Sequence, residues 1–112
     1  MKKAPITTHI LNLESGKPAA GVVVSLFEQN ATNPLATAVT DSDGRVIEWD
    51  IALQLNPGIY CLHFAVGDWF AHQGKTSFYP EIKIAFYVER LDEHYHVPLL
   101  LNSHGYSTYR GS

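Results

Sequence analysis

The chain has 112 residues and a mass of 12.5 kDa, a length that predicts one domain over residues 1–112 and leaves no room for a second core. Its 46% apolar and 17% charged residues are ordinary for a globular protein and exclude a disordered chain, which has too few apolar residues to offset chain entropy. Eight Lys and Arg against 11 Asp and Glu give a formal charge of −3, so the basic footprint of a nucleic-acid binder is missing. The single Cys61 makes no intrachain disulfide and asks for no oxidising compartment. No apolar run approaches the ~18 residues of a membrane helix. Lys2 and Lys3 look like the start of a secretory leader, but residues 4–9 supply no apolar stretch after them, and Arg110-Gly111-Ser112 is not a peroxisomal signal. The expectation is a cytoplasmic protein, or a periplasmic one if a leader has been removed.

Period-two alternation bounded by turn residues runs through most of the chain and predicts strands. Residues 6–13 form the first, ended by the turn Ser15-Gly16-Lys17-Pro18. Residues 21–28 form a buried second strand, and residues 35–40 a third after the break at 30–34. Asp41-Ser42-Asp43-Gly44 predicts a hairpin turn of the Asp-Gly type, followed by a strand over 45–49. Asn56-Pro57-Gly58 turns the chain into a strand whose Tyr60, Leu62, Phe64 and Val66 share one face. Residues 67–74 predict one short helix, with Asp68 as its cap. Residues 81–88, 94–101 and 105–109 complete the set. Eight short strands without repeats predict an all-β sandwich of two antiparallel sheets.

Three places gather residues that a core does not want. His9 lies within the first strand and Arg45 directly follows the Asp-Gly turn. The third is the C-terminal stretch Glu93-His94-Tyr95-His96 with its continuation Tyr106 to Ser112. On a strand His94 and His96 share a face, which suits a metal site with His9 as third ligand, a general-base site, or simply a polar sheet surface. Cys-x-x-Cys and His-Glu-x-x-His are absent, so the spacing gives no zinc pattern. Asp41-x-Asp43-Gly44 lacks the later ligands of a calcium loop. Cys61 and His63 share a strand face, but a lone thiol there reads as an inert core residue. Neither a Gly-x-Ser-x-Gly elbow nor a phosphate-cradling glycine loop occurs.

The chain resembles the 5-hydroxyisourate hydrolases, the transthyretin-related enzymes of purine breakdown. The resemblance runs from Thr8-His9-Ile10-Leu11-Asn12 through Gly16-Lys17-Pro18-Ala19-Ala20, Thr40-Asp41-Ser42-Asp43-Gly44-Arg45 and Phe78-Tyr79-Pro80-Glu81-Ile82. Its most specific parts are the nine residues from Glu93 to Leu101 and the terminal Tyr109-Arg110-Gly111-Ser112, which separates the hydrolases from the hormone-carrying transthyretins. Tyr79, where many relatives carry Phe, is the one small departure. The resemblance implies a transthyretin-like sandwich of two four-stranded antiparallel sheets with one short helix, assembled as a homotetramer around a channel. It implies hydrolysis of 5-hydroxyisourate with no cofactor, since hydrolysis moves no electrons; it gives no metal ligand and no nucleic-acid or membrane partner. By motif it gives His9, Arg45, His96 and Ser112 as catalytic. His9 and His96 share the proton work, and Arg45 holds the substrate and stabilises oxyanion charge. Tyr109, Arg110 and Gly111 bind substrate together with His9 and Arg45, while Ser112 and its carboxylate close the site. The alternative is a transthyretin-like carrier of small ligands.

Overall fold

Alternation along the first strand sets the whole architecture. In the computed structural model, which describes residues 4–112 and so leaves Lys2 and Lys3 outside the described residues, β1 (Ile6–Asn12) buries Ile6, Thr8 and Ile10 completely on one face. The elements that follow are β2 (Lys17–Pro18), β3 (Val23–Glu28), β4 (Ala36–Val39), β5 (Arg45–Val46), β6 (Gly58–Phe64), α1 (Val66–Ala71), β7 (Ile82–Val88), β8 (Tyr95–Asn102) and β9 (Gly105–Thr108). One sheet has the order β2-β1-β8-β9, with β5 also paired to β1, and the other has the order β4-β3-β6-β7. Their inner faces meet in one apolar cluster: Ile6, Ile10, Leu99 and Leu101 from the first sheet, and Val24, Leu26, Leu62 and Phe64 from the second. The all-β sandwich with one short helix is the predicted fold.

Several details differ from the expectation. β1 and β8 run parallel, in the register Thr7 opposite His96 and His9 opposite Pro98; strands that arrive from distant parts of the chain are under no hairpin constraint. The Asp-Gly turn does form, with Gly44 at φ 72° and the Gly44 amide donating to the Asp41 carbonyl at 2.9 Å. It is not a hairpin within one sheet, because β4 belongs to the second sheet and β5 to the first. The strand expected over 45–49 stops at Val46. Beyond it the Trp49 indole N–H donates to the Ile6 carbonyl at 2.9 Å, and Asp50 exchanges backbone and side-chain hydrogen bonds with Thr37, which pulls the chain back to the second sheet. Lys17-Pro18, read as part of a turn, also forms a two-residue ladder with Leu11 and Asn12.

The helix begins one residue earlier than expected and has no side-chain cap; Ala65 is at its N-cap and Asp68 lies in its first turn. What holds it is packing, since Val66 and Phe70 are fully buried. Gly67 lies against Pro80 so closely that a Cβ there would come within 2.6 Å of the Pro80 carbonyl oxygen. Among the described residues, no helix is long and apolar enough to cross a membrane.

Candidate active site

The outer face of the first sheet carries the polar residues that the inner face excludes. Because successive strand residues alternate, burial of Ile6, Thr8 and Ile10 inside turns Thr7 and His9 outward. On β8, burial of Tyr95, Val97 and Leu99 turns His96 and Pro98 to the same outer face. β5 adds Arg45 directly opposite His9. The Asp41 carboxylate makes this pairing possible by accepting hydrogen bonds from the backbone N–H groups of Asp43 at 2.9 Å and Arg45 at 3.0 Å. Gly44 completes the turn at a position no other residue fits: a Cβ there would meet the Ile10 carbonyl oxygen at 2.5 Å, and φ is in the left-handed region that favours glycine.

Thr7 stands between the two histidines. Its Oγ1 lies 2.9 Å from His94 Nε2 and 2.7 Å from His96 Nδ1, and the two rings are 6.5 Å apart at their centroids. A cleft of about 310 Å³ is lined by Thr7, Arg45, Ile47, His94, His96 and Ser112. The C-terminal segment closes one side of it. The Gly111 amide donates to the His96 carbonyl at 2.8 Å, in an isolated bridge that leaves no space for a side chain: a Cβ on Gly111 would lie 2.5 Å from His96 Cδ2.

The structure thus gathers Arg45, His96 and Ser112 around one cleft, with Gly111 packed against His96 behind Ser112. His9 is next to Arg45 in the ladder but does not itself line the cleft. Tyr109 and Arg110 are directed elsewhere. Together with His96 they border a second groove of about 290 Å³ formed with Phe86, Tyr87 and other β7 and β8 residues. The Arg110 guanidinium donates to Glu93 Oε1 at 3.0 Å and to the His94 carbonyl at 3.1 Å, and it packs 4.6 Å from the centre of the Tyr95 ring. A larger cleft of about 400 Å³ runs along Ala4, Pro5 and residues 48–53, with Glu48 and Asp50 among its lining.

The pKa of His9 is held below its ordinary 6.5, first by burial and then by the Arg45 cation, with the Asp43 backbone contact and the Asp41 and Asp43 carboxylates opposing. Near pH 7 its imidazole is therefore neutral and able to accept a proton. Among the described residues no cluster of three or more His, Cys, Asp or Glu is placed to hold a metal ion, and His9 stands opposite Pro98 rather than beside the His94 and His96 pair. Cys61 and His63 do share a face of β6, but His63 stacks on Phe27 at 4.0 Å, and burial pushes the Cys61 thiol up, away from the thiolate a nucleophile needs.

Thr7 is the site residue that sequence reasoning missed. A signal for it existed in its parity with His9, two residues on, but its partners are 87 and 89 residues away. Ile47 was likewise invisible as a lining residue, because the strand expected there gives way to a loop.

Both the sequence and the fold have known relatives. Residues 6–111 match the model of the HIUase/Transthyretin family. The chain is 45% identical over 113 residues to a protein of Schizosaccharomyces pombe named probable 5-hydroxyisourate hydrolase, covering 96% of this chain and 90% of the relative. Among solved structures it is similar to Klebsiella pneumoniae 5-hydroxyisourate hydrolase, with a TM-score of 0.85, 39% identity and all of both chains covered. It is also similar to transthyretin from Sparus aurata, with a TM-score of 0.87, 26% identity and 97% of each chain covered. On the near-complete match of its sequence and fold, the chain belongs to the HIUase/Transthyretin family, and within it is an enzyme with hydrolase activity.

Proposed function

We propose that this chain hydrolyses 5-hydroxyisourate, opening a ring amide to give 2-oxo-4-hydroxy-4-carboxy-5-ureidoimidazoline, on the outer face of the first sheet. The observation that carries this reading is the convergence of Arg45, His9 and His96 on that one face, with Arg45 directly opposite His9 in the ladder. Water adds across the C–N bond, its hydroxyl going to the carbonyl carbon and a proton to the leaving nitrogen. His9, kept neutral by burial and by Arg45, takes the proton from water, a contribution of about 10²–10⁴ in rate. His96 serves the leaving nitrogen. Arg45 presents a planar fork of donors to the polar substrate and offsets the charge that builds on the carbonyl oxygen, where one lost donor costs about 2.7–4 kcal/mol in the barrier. Gly111 and Ser112 close the cleft beside His96, and Tyr109 offers ring contact from the adjoining groove. Arg110 acts from outside by tethering the tail.

The reading extends to assembly. Among the described residues β7 and β9 each leave one edge unpaired, and an edge strand is a ready template for a second chain. Those edges and the family resemblance support a homotetramer, for which light scattering would give about four times the 12.5 kDa chain mass.

The test is ultraviolet absorbance of 5-hydroxyisourate generated in place from urate and urate oxidase, followed against its spontaneous decay. The protein is expected to speed loss of the intermediate, and His9→Asn to lower that acceleration by about 100-fold or more. Unchanged decay in the presence of folded protein would sink the reading. The carrier alternative draws on the likeness to Sparus aurata transthyretin. It gives no role to a histidine that burial and a cation keep neutral.

A further inference from the structure

Thr7 is on the outward face of β1, yet it is only 2% exposed, because the His94 and His96 rings cover it. Its neighbour Thr8 is fully buried on the inward face and donates its hydroxyl to the Val97 carbonyl. A buried hydroxyl needs a partner, and a backbone carbonyl satisfies that need. The Thr7 hydroxyl instead sits within hydrogen-bond distance of two imidazole nitrogens and is set between them.

A hydroxyl has a single proton to donate. With both rings neutral it can donate to only one of these nitrogens, and it must accept an N–H from the other. The two rings are therefore locked into complementary tautomers. Either His96 Nδ1–H donates to Thr7 Oγ1, which donates to His94 Nε2, or the sequence runs in reverse from His94 Nε2–H to His96 Nδ1. The first arrangement leaves the lone pair of His96 on Nε2, as a base requires. The second puts a proton on Nε2, as an acid requires.

We propose that Thr7 is a positioning residue whose hydroxyl couples the tautomer of His96 to that of His94 in a His–Thr–His relay at the edge of the cleft. This rests on the reading of His96 as a group that moves protons during hydrolysis. When His96 Nε2 accepts a proton, Nδ1 passes its own to the Thr7 oxygen, and the hydroxyl proton goes to His94 Nε2. The positive charge then rests on His94, which is exposed and releases a proton to water from its other nitrogen. When His96 Nε2 gives up a proton, the same three groups run in the opposite direction, and His94 is replenished from water. In neither direction does His96 have to hold a full charge beside the Arg45 guanidinium, which lines the same cleft. Removing the hydroxyl therefore affects the chemical step rather than substrate binding.

Two measurements test this. Long-range proton–nitrogen NMR of the native protein, recorded across a pH series and read on the plateau where neither ring's shifts change further, reports the tautomer of each ring without any variant. The expected result is one protonated and one unprotonated nitrogen among His96 Nδ1 and His94 Nε2. Finding both protonated or both bare overturns the proposal, whether or not the chain acts on 5-hydroxyisourate. Kinetics supply the second measurement. Thr7→Val is expected to lower kcat roughly 10- to 100-fold with KM little changed, while Thr7→Ser, which keeps the hydroxyl, stays within about threefold of the parent. Parental kcat in folded Thr7→Val overturns the proposal, and so does a loss in Thr7→Ser equal to that in Thr7→Val. If Thr7→Val does not fold, the NMR result decides. A parent chain that does not speed decay of the intermediate defeats the substrate reading alone, because the tautomer measurement stands without it.

Discussion

At the scale of single residues, the proposed mechanism depends on His9 and the cation beside it. Burial and Arg45 both disfavour the imidazolium, so the pKa of His9 is below 6.5 and the ring is neutral at pH 7. Activity that needs neutral His9 is then mostly present at pH 7 and is lost as pH falls through that lowered pKa. The profile of kcat/KM, which reports the free enzyme, is expected to show its acid limb below pH 6.5. In Arg45→Gln the residual activity should show that limb shifted upward, toward 6.5, because one of the two lowering causes is gone while burial remains. An unmoved limb would mean that the proton-accepting group is not the one facing Arg45. Cys61 illustrates the reverse case: burial raises its pKa and so keeps the thiol protonated.

At the scale of elements, the last four residues do two different jobs. Arg110 anchors the segment by binding Glu93 and the His94 carbonyl and by stacking on Tyr95. Exposed ion pairs are individually weak, so the anchor works through several contacts made together. Gly111 then lies on the His96 ring and bonds its carbonyl, which brings Ser112 to the cleft. Gly111→Ala forces a methyl group to within 2.5 Å of His96 Cδ2, so either the ring or the tail must shift. Misplacement of a reacting group by about 1 Å costs on the order of 100-fold in rate. The variant is accordingly expected to lose roughly 10- to 100-fold in kcat while its thermal midpoint changes little, since an exposed terminal segment adds little to global stability. Equal losses of activity and midpoint would mean that the tail is part of the fold rather than a wall of the site.

At the scale of the whole molecule, one strand serves both the core and the site. β8 alternates Tyr95, Val97, Leu99 and Leu101 inward with His96 and Pro98 outward, so the core and the proposed site sit on opposite faces of the same backbone. Leu99 is fully buried between the sheets. Leu99→Ala is expected to cost about 2–5 kcal/mol, read as a lower urea midpoint with an unchanged slope. Turnover at low temperature should stay close to that of the parent, because the side chain removed points away from the cleft. A changed slope would indicate a different unfolding reaction, and lost turnover in folded protein would show that core packing sets the geometry of the outer face.

Much of this was legible in the sequence. Alternation in residues 6–12, 58–64 and 82–88 reveals strands and their buried faces, because side-chain direction along a strand is a local property with period two. The Asp-Gly turn and the short helix are local as well, although packing of Val66 and Phe70 rather than a cap decides where the helix begins. His9, Arg45, His96 and the terminal tetrapeptide were found through their motifs, whereas spacing alone left a polar sheet face as good a reading as a site. Only the tertiary structure decides which of these residues meet. It pairs β1 with β8 in parallel, sends the chain from the second sheet to the first between Val39 and Arg45, sets Arg45 opposite His9, and places Thr7 between histidines 87 and 89 residues away. The physical reason is that register between distant strands is set by the packing of all their buried residues at once, and a slip of one residue would turn every side chain to the wrong face.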